Sequence, residues 1–351
     1  MILHVFNPEH DLALASNLSN FTAPHAGRQL RQDLGWLPAL WAGDDDFILV
    51  DHVKNAQRSY GRLRIRMQEI GVNRQFVDKT QLARLDITEV RPWGWNLALR
   101  SSLLRYGVTV VPSEEEIAGI RELSHRRYAI SLLGSLQESG TTGISYEADS
   151  VTDVLHYQRY YGIIVVKAPW SSSGRGIRFF DDSPNACQER WIHNVIDRQG
   201  SVVVEPYYHK VKDFGMEFES DGKGRVHYLG LSLFITRNGA YKGNVLMIEE
   251  MKEELLSRYV SVGLLRSVQE KICSELGNLY KDRYKGPFGV DMMIVAQPDG
   301  GGLLLHPCVE INLRRTMGHV ALSFPPFLDG CPRVMQIVLT DKYRMRVRKQ
   351  R

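Results

Sequence analysis

Lys167, Glu205, Asp291, Glu310, Asn312 and Arg314 are the residues whose types and settings could do chemistry together. Lys167 ends an apolar, β-branched run, Ile163-Ile164-Val165-Val166, that reads as a buried strand. Shortly after it comes Ser171-Ser172-Ser173-Gly174-Arg175-Gly176, and Ile177-Arg178-Phe179-Phe180 then restarts a strand. An ammonium beside a loop of hydroxyls, amides and conformationally free glycines is suited to cradling phosphate oxygens. Glu205 ends a second buried run, Val202-Val203-Val204, just before Pro206, which cannot extend a ladder. Asp291 lies inside the apolar stretch from Gly289 to Val295. In Glu310-Ile311-Asn312-Leu313-Arg314 the polar residues recur at every second position, which places them on one strand face. A buried carboxylate is costly unless it is paired or holds a metal. Asp291, Glu310 and Asn312 therefore suggest a hard-cation site made of oxygen ligands, which fits Mg2+ best, with Mn2+ possible.

The order of these elements, from about Glu115 to Pro325, resembles the ATP-grasp superfamily, whose members mostly join a carboxylate to an amine at the expense of ATP. The resemblance implies roles position by position. Lys167 would reach the α- and β-phosphates, and the loop with Ser172, Ser173, Gly174 and Gly176 would close over the β- and γ-phosphates. Glu205 would take the adenine amino group, with the backbone of Tyr207 completing the base contacts. Asp213, in Lys212-Asp213-Phe214, would hold the ribose hydroxyls. Asp291, Glu310 and Asn312 would be the metal ligands, and Arg314 a phosphate-facing catalytic arginine alongside Lys167. One departure stands out. Where many relatives open a helix with an Asp-Lys pair, this chain has Ser124-His125-Arg126-Arg127-Tyr128. Arginine can replace lysine on a phosphate and adds a bidentate fork, but the sequence leaves open which of Arg126 and Arg127 faces the nucleotide.

The implied activity is an ATP-dependent ligase joining a carboxylic acid, amino acid or peptide-like, to an amine through an acyl-phosphate, with release of ADP and phosphate. Two alternatives remain at this level: a kinase of the same fold acting on a small-molecule hydroxyl, and an ATP-binding module without turnover. Arg237, Lys242, Arg315 and His319 are candidates to face a substrate carboxylate. His10 and His25 lie in polar loops of the N-terminal part, where satisfied surface positions are the simpler reading. Pro92-Trp93-Gly94-Trp95-Asn96 reads as a packed domain interface.

For the elements that must position these residues the resemblance implies α/β and α+β parts: an ATP-grasp fold of two α+β subdomains clamping nucleotide, preceded by a small α/β domain. Residues 1–112 form the N-terminal α/β unit, with strands expected at 47–51 and 108–111. Residues 113–204 form the first grasp subdomain, opened by the helix-start signal Pro112-Ser113-Glu114-Glu115-Glu116. Helices are expected over 117–136 and 149–161. Residues 205–330 form the second subdomain, with a helical region over 249–284. Residues 237–244 read as a polar, glycine-punctuated segment between strand and helix, and 331–351 as a basic, solvated tail.

Composition narrows the partners. The 351 residues carry a net charge of +4, but from Cys331 onward seven Lys/Arg face one Asp, so the rest of the chain sums to −2. The basicity is terminal and no aromatic-interleaved basic stripe accompanies it, which argues against nucleic acid. No run approaches membrane-spanning length. The opening lacks the basic start and long apolar core of a signal peptide, and the four scattered cysteines suit a reducing compartment; a cytoplasmic protein acting on small molecules is expected. Asp213-Phe214-Gly215 spells the kinase magnesium triplet, but without an H-R-D-type loop before it.

Overall fold

The computed structural model describes residues 1–67, 74–171, 176–237, 240–297, 300–325, 327 and 330–349. Its first unit runs β1 (Ile2–Val5), α1 (His10–Ser16), α2 (His25–Leu34), β2 (Phe47–Leu49), α3 (Val53–Arg66), β3 (Gln75–Val77), β4 (Glu89–Pro92) and α4 (Leu97–Arg105). The strands pair in parallel in the order β3-β2-β1-β4. A parallel sheet is buried on both faces. Accordingly Leu3, Phe47 and Val77 pack into one apolar layer, while Ile48 and Phe76 join Trp36, Leu37 and Tyr60 in the other.

The strand expected at 108–111 does not form. α4 ends at Arg105, and beyond it Gly107 has a φ of +85° open to glycine, while the amides of Gly107 and Val108 bond back to the carbonyls of Leu104 and Leu103. The residues after the turn are thus tied to the helix end, and Val108 contributes its side chain to the core without joining a ladder.

α5 (Glu114–Leu123) starts where the sequence signals it, with Ser113 and Glu116 forming a reciprocal capping box. α6 (Arg127–Ser135) follows after a break at 124–126, which splits the expected single helix. Next come β5 (Tyr146–Ala148), α7 (Val151–Tyr161), β6 (Ile164–Lys167), β7 (Ile177–Phe180), α8 (Ala186–Gln199) and β8 (Val202–Pro206). These strands form an antiparallel sheet ordered β5-β8-β6-β7. Ile164, Val166, Val202 and Val204 pack under α7 and α8 with Val154 and Ile192. Strand alternation then turns Val165, Lys167, Val203 and Glu205 to the other face.

The remaining chain builds two antiparallel sheets. β9 (His209–Ser220), β10 (Val226–Ser232), β11 (Phe234–Arg237), β12 (Ala240–Leu246), α9 (Glu249–Ser257), α10 (Val262–Tyr280), β13 (Gly286–Ala296), β14 (Leu303–Asn312), α11 (Met317–Leu322), β15 (Arg333–Leu339) and β16 (Tyr343–Lys349) follow in order. One sheet runs β10-β9-β13-β14 and the other β11-β12-β15-β16. Phe214, Met216, Phe218, Phe288, Val290 and Met292 form the main core with Val268, Ile272 and Leu276 of α10.

Two expectations are corrected here. Ala240–Leu246 is a strand in a hairpin with β11, not a segment leading from strand to helix. The basic stretch from 331 is not a solvated tail: β15 and β16 pair along their full lengths, and β15 continues the sheet from β12. The pattern explains it. Tyr343, Met345 and Val347 alternate with Arg344, Arg346 and Arg348, and the apolar set packs against the Phe6 and Trp36 cluster while Met335 is fully buried.

Candidate nucleotide and metal site

Register brings the lysine and the strand-end glutamate together. Val165 lies opposite Glu205 and Lys167 opposite Val203, so Lys167 and Glu205 are diagonal neighbours on the face away from α7 and α8, within reach of long side chains. Lys167 Nζ meets Glu205 Oε2 at 2.6 Å, with both residues buried, and Ser145 Oγ donates to Glu205 Oε1 at 3.3 Å.

On the second sheet, Asp291 lies directly opposite Glu310 on one side and Gly215 on the other, and Gly289 lies between Glu217 and Asn312. The register therefore gathers Asp291, Glu310, Asn312 and Glu217 on the face away from α10. Asn312 Nδ2 donates to Asp291 Oδ2 at 3.1 Å. The Asp291 carboxyl is pushed up to about 7 by burial and then by the charges of Glu310 and Glu217.

Arg126 ties the two sheets together. Its Nε donates to the Ala168 carbonyl at 3.0 Å and its Nη2 to Ser171 Oγ at 3.4 Å, while Nη2 also lies 2.7 Å from Glu310 Oε1. Arg127 points elsewhere, to Glu122 and Glu147, half exposed. Of the two arginines, Arg126 is the one set against the Lys167 hairpin and Glu310. The crevice lined by Arg126, Ser145, Glu205 and Cys308 holds only about 10 Å³, room for about one water.

The other expected residues fall around this centre. Arg314 does not face the crevice alone: its Nε and Nη2 grip Asp11 Oδ1 and Oδ2 at 2.7 and 2.8 Å, and Nη2 reaches Asn312 Oδ1 at 3.0 Å. Burial alone would lower the Arg314 pKa, but the Asp11 carboxylate raises it. Asp213 is held by Lys210 at 2.7 Å and Thr236 at 3.1 Å. Tyr207 is exposed, with its ring edge-on to Phe179 and His209. Ser172, Ser173 and Gly174 lie outside the described residues. Gly176 carries the return of the loop: its carbonyl accepts from the Ala168 amide at 2.8 Å, and a Cβ there would meet Ser171 Cβ at 2.4 Å.

Of the substrate candidates, Arg315 lies over the Trp41 ring, and His319 Nδ1 sits 2.9 Å from Glu217 Oε2. His10 is buried against Asn96 and Gly94 and its pKa drops to about 4 through burial. Trp93 packs edge-on to Phe6, and Trp95 touches the cores of both the first unit and the β9–β14 sheet.

Sequence reasoning missed Asp11, Glu217 and His306. Glu217 had a signal in the alternation Phe214, Met216, Phe218, which leaves 215 and 217 facing the other way. It also sits in a slot of small residues, since a Cβ on Gly289 or Gly318 would strike its carboxylate at 2.6 or 1.8 Å. His306 is fully buried under Tyr208, its ring nitrogens without hydrogen-bond partners among the described residues, and burial lowers its pKa to about 4. Nothing in the sequence marked it beyond its place in a strand.

Among the described residues no group of three or more His, Cys, Asp or Glu side chains is gathered for a metal. Two facing carboxylates and an amide, with one carboxyl already driven toward its neutral form by burial and then by like charge, are nonetheless the donor set a hard cation would relieve.

No family model and no curated protein matches the chain. Solved structures do. The biotin carboxylase–β,γ-ATP complex from Campylobacter jejuni superposes with a TM-score of 0.50 at 12% identity, over 96% of this chain and 75% of that one. The N5-carboxyaminoimidazole synthetase of Staphylococcus aureus complexed with ADP gives 0.49 at 13%, over 96% and 82%. An ATP-grasp superfamily protein from Archaeoglobus fulgidus gives 0.49 at 13% over the whole of both chains. At such identities the likeness is one of fold alone, and the chain has the ATP-grasp fold. No helix among the described residues is long and apolar enough to cross a membrane.

Proposed function

We propose that the protein binds ATP with Mg2+ and uses it to join a carboxylic acid, amino acid or peptide-like, to an amine. The observation that carries this reading is the bridge of Arg126 from the Lys167 hairpin to Glu310, which sets the ammonium–carboxylate pair and the acid-rich strand face on one crevice. In this reading Lys167 and Arg126 bind phosphate oxygens, Glu205 meets the base, and Asp291, Glu310 and Asn312 hold the cation. When bound, that cation would neutralise phosphate charge.

The chemistry needs no side-chain nucleophile. A substrate carboxylate oxygen forms a bond to the γ-phosphorus as the bond to the bridging oxygen breaks and ADP departs. The amine nitrogen then bonds to the acyl carbon, phosphate leaves, and the nitrogen loses a proton. The chain's own residues position the reactants and exclude water from the acyl-phosphate. The test is ADP release across a panel of amino acids and short peptides. Phosphate formed only when acid and amine are both present supports the ligase, and a stable phosphorylated alcohol replaces it with a kinase.

A further inference from the structure

A second cleft, of about 370 Å³, opens at the carboxyl end of the N-terminal sheet, within the roughly 300–1,000 Å³ typical of small-molecule sites. Segments following all four strands line it: Asn7 and Glu9 after β1, Asp51 after β2, Lys79 after β3 and Asn96 after β4. The strand order β3-β2-β1-β4 sends the chain from β1 to one side and brings β4 back on the other. Open parallel sheets take ligands at that reversal.

The lining is charged in one direction. Four cations, Arg28, Arg31, Lys79 and Arg105, face two carboxylates, Glu9 and Asp51. Arg31 lies between both acids, pairing with Glu9 and standing 3.7 Å from Asp51. No carboxylate pairs with Arg28, Lys79 or Arg105 among the described residues. Phe6, Phe21, Leu82 and Leu103 supply apolar wall.

We propose that this cleft binds a small organic anion, a carboxylate or phosphate carried on an apolar body, at a site separate from the nucleotide crevice. Calorimetric titration of the full chain with phenyl phosphate, phenylacetate and benzylamine tests it. At least one anion binds and the amine does not; which anion binds distinguishes phosphate from carboxylate. The double variant Lys79→Ala/Arg105→Ala weakens the bound anion about tenfold or more, as loss of charged hydrogen bonds does. Ser102→Trp, which fills the cleft, removes binding, and Glu310→Ala leaves it intact. The proposal is overturned if neither anion binds, if benzylamine binds as well, if the cleft variants bind like the unaltered protein, or if Glu310→Ala also abolishes binding. Because the probes contain no nucleotide, failure here leaves the ATP reading standing, and the reverse.

Discussion

The two sheets that face each other across the crevice solve their electrostatics in opposite ways. On the lysine side, charge is paired one to one: Lys167 and Glu205 meet at 2.6 Å and both are buried. On the acid side, Asp291 faces Glu310 and Glu217, and its carboxyl is lifted to about 7. Arg126 balances only Glu310. The lysine side is therefore stable as it stands and must exchange its internal pair to take a nucleotide. The acid side carries a buried carboxyl raised by desolvation and by like charge, which a cation would relieve.

The largest effect follows from breaking the lysine-side pair. Lys167→Ala leaves Glu205 buried and uncompensated, a loss of about 3–5 kcal/mol in denaturant unfolding. Lys167→Met/Glu205→Leu recovers most of that stability, since apolar replacements of a buried pair are often neutral or better, yet it still fails to bind ATP. If the double variant binds ATP normally, the pair is structural only.

On the acid side the same kind of change has the opposite sign. Folded, Asp291 titrates near 7, whereas unfolded it returns to its ordinary 3.8. The folded state holds the extra proton between those values, so this contribution to stability is present at low pH and is lost as pH rises through 7. Asp291→Asn should therefore raise the thermal midpoint at pH 8 in the absence of metal, and abolish any further gain from Mg2+. A lower midpoint would show that Asp291 is already compensated.

An opposing pH dependence comes from His10, His125 and His306, each lowered from 6.5 to about 4 by burial, a shift individually smaller than that of Asp291. The unfolded chain takes up protons first, so their contribution is intact above 6.5 and lost as pH falls toward 4. Thermal midpoints of Asp291→Asn should decline over that window, and a flat profile would mean these rings are accessible in the folded protein. The smallest contrast is between neighbours: Arg126→Ala weakens nucleotide binding, whereas Arg127→Ala, at a half-exposed pair, changes stability by under about 1 kcal/mol and binding not at all.

The difference between the two sides also explains what could be seen in the sequence. Lys167, Glu205, Asp291, Glu310 and Asn312 were legible because each breaks an apolar run, and polar atoms in buried strands require a reason. Strand alternation was enough to put Glu310 and Asn312 on one face, whereas Arg314 lies beyond the end of β14 and turns to Asp11. The partner of Arg314 was not legible, because Asp11 lies 303 residues away and reads locally as a first-turn helical acid. Local alternation gives Glu217 its face, but what Glu217 and His306 meet depends on register across β9, β13 and β14. By composition the hairpin at 333–349 reads as a tail because its arginines dominate, whereas the alternation of Tyr343, Met345 and Val347 with them makes it a strand.

In the proposed function a nucleotide and a divalent cation share the crevice bridged by Arg126. Titration calorimetry of ATP with and without Mg2+ into the unaltered protein and into Glu310→Ala tests this most directly. The prediction is Mg2+-enhanced binding that the substitution abolishes; equal binding by both proteins, or none by the unaltered one, would contradict it.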